Sequence, residues 1–568
     1  MGLSISRYVT VSLREAGYKA DVMSVGRVQT PTLGLVVARD KEIRDFSPST
    51  YYALTAVLSL DENRTLKGRW MPKDADSPGL DGQKRITDRA FADSIVGKLS
   101  GKNGVVLSVT KEERTISPPL PYSLPKFQMA ASNKYDITDA LAHVQKLYES
   151  GYVTYPRTSC EYIPEGHFSD APGIIDAIRS GCPALRDMLG GVDLSKKSPA
   201  WNDAKISEHH AMLPTARVPF ENALSGTERK IYELICVRYA LQFLEDYEYE
   251  ETAVEFGAED ETFKATGRTT KKLGWQGWEK SDETDRRGGK QNDETEIDEE
   301  ESCGQVLPAV RQGESGNLLV SIEERETRPP KPYAYHGLIA AMNGIHVFVK
   351  DPEIRTKLKE LQGIGTSATQ EGIISTLFGR GYIEKKKKII QSTELGRTLI
   401  DLLNAGKSSA LTRPDMTALW EGTMSDIEAG NVSLESFVTD VAGMVREITS
   451  ETLSVPDVQG LERREPASAE VLESPCPLGC GHQARRYEGK FGFFWKCDCS
   501  PGVTSGDLDG TPVLREKPIE ADCPAKGCKG RAVRFVSKRD GRPFWKCRKC
   551  GGFFDDADGR PKTREAKK

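Results

Sequence analysis

The chain has 568 residues, a hydrophobic fraction of 38% and a formal net charge of -5. This length predicts several domains with their own cores, and the absence of an apolar run of about 20 residues excludes an ordinary membrane-spanning protein. Because no secretory pattern opens the chain, we expect a cytoplasmic location. Residues 474–568 hold 21 Lys and Arg against 12 Asp and Glu, and such a local field leaves a nucleic-acid partner open despite the negative total.

The first motif lies near the N-terminus, before a helical stretch. We expect an extended run in which the side chains of Ser24, Arg27 and Gln29 point the same way, because side chains alternate along an extended backbone. The whole segment consists of Ser24, Val25, Gly26, Arg27, Val28 and Gln29.

Strand patterns occur in two separate parts of the chain. Residues 51–60 and 104–109 belong to the first part, and residues 247–256 and 318–323 to the second. Alternation of polar and apolar residues predicts half-buried strands. The second part is interrupted by an acidic insertion, residues 276–303, whose lack of hydrophobic periodicity predicts a loop or a disordered segment.

A strand-like run, residues 151–158, carries Tyr155 two positions before Arg157. A phenol at the end of a strand beside a guanidinium is the arrangement that attack on a phosphodiester requires. The phenol oxygen takes the phosphate, and the arginine neutralises the transition state. Taken alone the pattern is weak, because Tyr-x-Arg on a strand is more often an ordinary cross-strand pair.

Two adjacent histidines, His209 and His210, follow downstream. A metal site of the relaxase type needs two histidines on one face of a strand. Neighbouring strand residues face opposite sides, so this pair does not fit such a site. We assign no role to His210.

The chain contains an internal repeat of a proline-rich segment ending in tyrosine, a helix and a Gly-Tyr turn. The two copies cover residues 118–153 and 329–383, with predicted helices at 138–149 and 366–378. A helix, a glycine turn and a β-rich wing are typical of a winged-helix unit. We therefore predict two related modules, the first of which carries Tyr155.

Eight of the 12 cysteines lie in the last hundred residues, in two similar copies. Paired cysteines on two knuckles predict tetrahedral zinc sites, since a cytoplasmic protein has little use for them as disulfides. The Phe-Trp-Lys sequence in each copy fits either a stacking face for single-stranded DNA or an aromatic core. The predicted ligands are Cys476, Cys480, Cys497 and Cys499 in the first copy, which has irregular spacing, and Cys523, Cys528, Cys547 and Cys550 in the second.

Five segments occur in a characteristic order along the chain: residues 24–33, 151–158, 201–215, 363–369 and 414–421. In this order they resemble the type IA DNA topoisomerases, most of all the bacterial topoisomerase III branch. The resemblance implies a multidomain α+β fold, a toroid built from two CAP-like winged-helix modules and a β-rich arch, with C-terminal zinc-ribbon repeats.

The resemblance also implies a division into domains. We expect a helical base domain with a single-stranded DNA groove, a discontinuous arch, a CAP-like domain with the catalytic tyrosine, a linker and two ribbons, the second followed by a basic tail. The expected boundaries are 1–49 and 327–455 for the base (the later part CAP-like), 50–115 and 247–326 for the arch, 116–246 for the tyrosine domain, 456–473 for the linker, and 474–515 and 520–568 for the ribbons.

The implied activity is ATP-independent cleavage of single-stranded DNA through a 5′-phosphotyrosine, followed by strand passage and religation, which relaxes or decatenates DNA. Tyr155 matches the family's nucleophile, and Arg157 and His209 match residues that bind the scissile phosphate. Arg27 is the main candidate for a phosphate contact in the groove. The DNA-binding residues implied by the resemblance are Ser24, Val25, Gly26, Arg27, Val28, Gln29, Lys205 and Thr366.

The sequence departs from the family in two places. Nothing in it matches the N-terminal Toprim domain, in which the family holds Mg²⁺; a truncated gene, an internal methionine taken as the start and a split gene are all open explanations. Gln370 stands where relatives commonly have arginine, which would weaken a DNA contact. We therefore expect the chain to bind single-stranded DNA but to be inactive alone.

Two functional hypotheses follow. The first is a topoisomerase III-like enzyme that acts as a monomer on negatively supercoiled or catenated DNA in the bacterial nucleoid or on plasmids, with a separately encoded Toprim fragment as a candidate partner. The alternative is a non-catalytic remnant that binds single-stranded DNA through its groove and zinc ribbons.

Overall fold

The computed structural model forms two compact units, residues 1–463 and 464–568. The acidic insertion predicted at 276–303 lies almost wholly outside the described residues, and so does Cys499. The structure describes the chain except for 75–77, 207, 220–222, 279–305, 350–351, 353–354, 357–362, 451–452, 454, 456–457, 459, 464–472, 478–479, 490–491, 498–503, 509–510, 514–519, 526, 537–542, 548, 558–559 and 563–568.

Most α-helices of the first unit surround two separate hydrophobic cores, one built largely by residues 120–244 and the other by residues 5–36 together with 333–458, whereas α3 packs on the core of the barrel described below. The helices are α1 Gly2–Glu15, α2 Gln29–Arg44, α3 Arg89–Leu99, α4 Leu124–Tyr135, α5 Ala140–Glu149, α6 Ala171–Gly181, α7 Arg186–Leu189, α8 Gly226–Ala240, α9 Tyr335–Asn343, α10 Ser367–Gly379, α11 Glu394–Asn404, α12 Pro414–Glu428 and α13 Leu434–Thr449.

Six strands from both predicted β-rich parts close into one antiparallel barrel. Alternate residues such as Val254, Phe256 and Phe263 are fully buried inside it, as the period-2 pattern requires. Closure removes both sheet edges, so no strand is left to pair with another chain. The strands, in the spatial order β1-β2-β5-β4-β3-β6, are β1 Thr50–Ser59, β2 Thr65–Met71, β3 Asn103–Ile116, β4 Tyr247–Ala258, β5 Glu261–Lys272 and β6 Ser315–Glu326.

The two predicted winged-helix modules end their second helix in the same glycine turn. Helix α5 runs into Gly151 at φ +76°, and α10 runs into Gly381 at φ +70°. In each case the N–H of the next residue, Tyr152 or Tyr382, donates to the carbonyl five residues earlier, at 2.9 and 3.0 Å. This is the Schellman ending, in which only glycine adopts the left-handed backbone without strain.

The same correspondence continues in the later segment of each module that hydrogen-bonds to its glycine turn. Thr215 and Thr393 each donate their N–H to the tyrosine carbonyl, both at 3.0 Å, and their hydroxyl to the glycine carbonyl, at 2.7 and 2.6 Å. Three positions earlier, a backbone N–H donates to the carbonyl of Tyr122 in one module and of Tyr333 in the other, at 2.9 and 2.7 Å. The sequence repeat is therefore a structural repeat with one hydrogen-bond pattern.

The wings of the two modules differ. In the second module a hairpin of β7 Ile383–Lys386 and β8 Ile389–Ser392 joins the two halves of the pattern directly. In the first module the predicted strand at 151–158 is wrong, because the run is extended but forms only an isolated bridge between Val153 and Pro214. Pro156 has no N–H to donate, so a ladder cannot continue past it.

The second unit consists of two five-stranded antiparallel sheets, one for each cysteine-rich copy. The first sheet contains β9 Glu473–Pro475, β10 Gln483–Gly489, β11 Gly492–Lys496, β12 Thr504–Leu508 and β13 Thr511–Val513, and the second contains β14 Glu520–Asp522, β15 Arg531–Val536, β16 Pro543–Cys547, β17 Phe553–Ala557 and β18 Arg560–Lys562.

Candidate active site and metal centres

Tyr155 is held in place through the residue before it. The N–H of Thr154 donates to the carbonyl of Leu213 at 2.8 Å, and the N–H of Leu213 donates back to the Thr154 hydroxyl at 2.9 Å. This reciprocal pair fixes the backbone next to the tyrosine. The Tyr155 side chain itself is 37% exposed, so its phenol is accessible to a large substrate.

The Tyr155 ring lies between two other rings. The His209 imidazole is 4.7 Å away between centroids, and the Tyr148 ring is 5.6 Å away in an edge-to-face arrangement. Pairing of the two chain segments brings the histidine here, since the Thr158 hydroxyl donates to the His209 carbonyl at 3.3 Å. The sequence analysis missed Tyr148, whose position in the last turn of α5, directly before the Gly151 turn, was the available signal.

Arg157 is exposed, like Tyr155, whereas Pro156 and Thr158 between and beyond them are buried. The phenol and the guanidinium therefore project from the outer side of one extended segment. Lys205 is also exposed, and its backbone carbonyl accepts a contact from the Cys160 thiol at 3.7 Å, which places it beside this segment.

The two histidines separate as the sequence predicts. His210 turns away from Tyr155, with Nδ1 2.7 Å from the Ala211 carbonyl and its ring 5.2 Å from that of His167. Burial lowers the pKa of His210. Because His210 faces the Ala211 carbonyl, His209 is the histidine whose ring lies beside Tyr155.

The segment Ser24–Gln29 differs from the expected extended run, because a turn begins at Arg27 and Gln29 already opens α2. The side chains of Ser24 and Gln29 still meet, with the Gln29 amide donating to the Ser24 hydroxyl at 2.8 Å. Val25 is buried, and its N–H donates to the Ser6 hydroxyl at 2.8 Å. Val25 is therefore a structural residue of this segment, since its backbone bonds to Ser6 and its side chain is buried.

Residues from distant parts of the chain contact the segment Ser24–Gln29. The Ser24 N–H donates to the Tyr382 hydroxyl at 2.7 Å, and the Thr417 hydroxyl of α12 donates to the Arg27 carbonyl at 2.7 Å. Gly365 approaches so closely that an added Cβ would lie 3.1 Å from the Val28 side chain. Three of the five characteristic segments thus form one surface, and Tyr155 stands on the other module.

Two further residues belong to this surface. Thr366 is the exposed N-cap of α10. Gln370 is fully buried, and its amide donates to the Asn343 side chain at 2.7 Å and to the Ile364 carbonyl at 3.3 Å. Its side chain secures the loop before α10, so this position is structural here.

The two modules meet at Glu371 of α10. Its carboxylate accepts hydrogen bonds from the Gln128 amide at 2.6 Å and from the Leu141 N–H, in the first turn of α5, at 3.1 Å. Burial raises the pKa of Glu371 more than these donors lower it. A second contact joins Lys385 of the wing to Asp136 at 2.8 Å.

Four cysteines of the second ribbon form a compact cluster whose sulfur atoms all lie within 4.8 Å of one another. The distances are 3.7 Å between Cys523 and Cys550 and 3.8 Å between Cys528 and Cys547. Zn–S bonds of about 2.3 Å in a tetrahedron give sulfur separations of about 3.8 Å, so the cluster fits zinc. Backbone N–H donors lower the pKa of the Cys547 thiol to about 6, which favours the thiolate that a metal binds.

The first ribbon shows three of its four predicted ligands together, namely Cys476, Cys480 and Cys497. The sulfur atoms of Cys480 and Cys497 are 3.6 Å apart. Cys499, the predicted fourth ligand, falls outside the described residues. The irregular copy therefore also gathers a partial thiol cluster.

The residues of the Phe-Trp-Lys sequences lie on two faces of each ribbon sheet. Trp495 and Trp545 are buried cores of their ribbons. The opposite face carries stacked pairs, Tyr487 with Phe494 and Phe535 with Phe544, both 5.7 Å between centroids. Lysines lie beside these rings, with Lys496 over Tyr487 and Lys546 over Phe553 at 5.8 and 5.0 Å.

A family model described as DNA topoisomerase matches residues 1–439. The chain is 35% identical to DNA topoisomerase 3 of Vibrio cholerae, covering 80% of this chain and 68% of that protein. It is 34% identical to DNA topoisomerase 3 of Haemophilus influenzae, covering 77% of this chain and 66% of that protein. The chain belongs to the DNA topoisomerase family. These relatives place it with the type IA, topoisomerase III-like enzymes.

The fold agrees with this membership. Full-length topoisomerase I from Thermotoga maritima is similar over 91% of this chain and 75% of its own length, with a TM-score of 0.54 and 22% identity. At that identity the likeness shows the fold alone. The topoisomerase chain spans about two thirds of the length of the curated relatives it matches.

Neither of the two candidate metal clusters of this topoisomerase suits magnesium. Among the described residues, the groups of three or more His, Cys, Asp or Glu side chains close enough to share an ion are the two cysteine clusters. Magnesium prefers oxygen ligands, and these clusters offer sulfur. No helix among the described residues is both long and apolar enough to cross a membrane.

Proposed function

We propose that Tyr155 is the nucleophile that cleaves single-stranded DNA. Its phenol oxygen forms a bond to phosphorus as the bond from phosphorus to the 3′-oxygen breaks, and the phenolic proton is balanced by the new 3′-hydroxyl. The product is a 5′-phosphotyrosine ester. Because one phosphoester replaces another, the reverse attack reseals the strand without ATP.

The proposal rests on one observation: an exposed phenol whose ring is 4.7 Å from His209, on a segment that also projects Arg157. Phosphoryl transfer is catalysed mainly by positioning and charge stabilisation. The guanidinium fork of Arg157 suits the two non-bridging oxygens of a phosphate, and His209 supplies a second donor.

The surface formed by Ser24–Gln29, Gly365 and Thr366 is the proposed groove for the single strand. It offers hydroxyls and the Arg27 guanidinium, which contact phosphates without reading bases. Lys205, beside the Tyr155 segment, would extend the cationic path. With the barrel as the arch of a toroid, the whole chain would pass one DNA strand through another and so relax or decatenate DNA.

The test is the covalent adduct. In the presence of a matching Toprim fragment, the parent chain should form a denaturant-resistant complex with single-stranded DNA, and Tyr155→Phe should form none while binding the same DNA with nearly unchanged affinity. Tyr162→Phe, a nearby tyrosine outside the site, is the control. An adduct that survives in the Tyr155 variant sinks the assignment.

The Toprim expectation has its own experiment. A phenol with an ordinary pKa of about 10 reacts slowly near pH 7 unless neighbouring groups share its proton and charge. Residues 1–568 alone should bind single-stranded DNA without relaxing supercoiled plasmid in Mg²⁺. Relaxation of plasmid by residues 1–568 alone would disprove this expectation. If no adduct forms even with the Toprim fragment, the result would support the non-catalytic alternative, which the family match does not favour.

We also propose that each ribbon holds one zinc ion and presents its stacked aromatic face to single-stranded DNA. Domains this small draw much of their folding energy from the metal. The full chain should contain close to two zinc ions, and Cys528→Ser and Cys480→Ser should each lower this to one. A parent content near one would mean that the first ribbon is empty.

A further inference from the structure

The wing of the second module ends in a run of four lysines, Lys385, Lys386, Lys387 and Lys388. All four are exposed, and the last two form the loop between β7 and β8. Two apolar residues of the hairpin, Ile383 and Ile390, are buried beneath it. The outer surface of the wing therefore carries four neighbouring cations.

The structural repeat shows which residues of the first module correspond to this lysine run. Since the Gly151 turn corresponds to the Gly381 turn, Tyr155 corresponds to Lys385, and Arg157 corresponds to Lys387. The first module directs its phosphate chemistry outward from this stretch, and the second module places cations at the equivalent points.

The charges of the four lysines are not equally compensated. Lys385 pairs with Asp136 at 2.8 Å and Lys386 with Glu384 at 2.7 Å. For Lys387 and Lys388, no ion pair is recorded with any residue in the part of the chain that the structure describes. Two positive charges at the tip thus remain open to an anionic ligand.

The backbone at the tip is also unusual. Lys387 has φ +57°, a left-handed conformation that two-residue hairpin loops usually fill with Asn, Asp or Gly. The turn places the exposed Lys387 side chain at the tip of the hairpin, whereas Ile383 and Ile390 of the same hairpin are buried.

The chemistry of the wing fits the phosphate backbone of duplex DNA. Single-strand binding by base stacking needs exposed aromatic rings, which we propose for the two ribbons, but the wing exposes no ring: Tyr382 at its base is buried. A duplex hides its bases and presents phosphates. We propose that Lys387 and Lys388 form a second DNA site, which binds the phosphate backbone of duplex DNA without reading its sequence.

The test compares two double variants of the full chain. Lys387→Glu/Lys388→Glu should weaken binding to a blunt duplex by about tenfold or more and lower the slope of log affinity against log salt by roughly one for each lost phosphate contact. Binding to a single strand of the same sequence should stay within about twofold, because the aromatic sites are untouched.

The control is Lys73→Glu/Lys84→Glu, which changes the net charge by the same amount in the segment between β2 and α3, where Lys73 lies 3.6 Å from Asp260. Lys84 matches Lys387 closely, since it is exposed and has φ +64°. Equal losses in the control and wing variants would overturn the proposal, as would equal losses on single strand and duplex.

A third variant guards against a folding effect. Lys387→Gly removes one charge and suits the left-handed backbone, so the protein should be at least as heat-stable as the parent while its duplex salt slope falls. An unchanged slope would contradict the proposal. All variants are also made with Tyr155→Phe, so the outcome is independent of the cleavage chemistry.

Discussion

The two winged-helix modules of this topoisomerase share a hydrogen-bond frame and differ in what they project from it. In both, a glycine turn, a tyrosine and a threonine make the same backbone contacts within 0.1 Å. At corresponding outward positions one module carries Tyr155 and the other Lys385. The frame depends on backbone donors and a glycine, which leaves the exposed positions free to take different chemistry.

The returning chain explains why only the first module gathers a reactive site. In the second module β8 follows β7 after two residues, so the wing is a bare hairpin. In the first, residues 159–208 intervene, and the chain returns with His209 beside Tyr155. A longer path between the paired segments allowed a third functional group to reach the phenol.

The largest expected effect comes from removing the guanidinium that projects beside Tyr155. Arg157→Ala should slow adduct formation by about 10²–10³-fold, the usual cost of losing one preorganised donor to a transition state. The rate is measured in single turnovers on single-stranded DNA with the Toprim fragment. Arg179→Ala, an exposed arginine of the same module, should stay close to the parent; a similar loss there would argue against a specific role.

The second effect concerns the ring that packs against Tyr155. Tyr148→Ala should lower the adduct rate by about tenfold, because the Tyr155 ring loses a neighbour that restricts its rotation and misplacement of reacting groups is costly. Tyr148→Phe keeps the edge contact and should retain the parent rate. Equal losses in both variants would assign the role to the Tyr148 hydroxyl instead of its ring.

The local features of the two modules could be predicted from the sequence, whereas the long-range contacts could not. Tyr155, Arg157, the Gly-Tyr turns and the cysteine knuckles are visible because each depends on neighbours in the chain. The closed barrel depends on pairing such as β1 with β6, more than 250 residues apart, which periodicity does not encode. Tyr148 and the buried role of Gln370 depend on packing between segments, so only the structure could place them.

The glycine turns offer a stability test of the shared frame. Gly151→Ala and Gly381→Ala both force alanine to positive φ, at a cost of about 1–2 kcal/mol. At Gly151 the new Cβ also meets the Arg217 side chain at 3.2 Å, whereas Gly381 has open space. Thermal unfolding should show the larger loss for Gly151→Ala; a larger loss at Gly381 would contradict the account of the turns.

The smallest effect tests the contact between the modules. Burial raises the pKa of Glu371, so the folded state holds the carboxyl proton more tightly than the unfolded state does. The stability that this group contributes is therefore present at low pH and is lost as the pH rises through the folded pKa. Glu371→Gln, which is neutral throughout, should therefore raise the Tm slightly at about pH 8 and match the parent near pH 4.5. Glu149→Gln, an exposed change on α5, should not alter the Tm at either pH. If Glu371→Gln instead lowers the Tm at high pH, the charged carboxylate at the start of α5 outweighs its burial, and the contact between the modules is held by that charge.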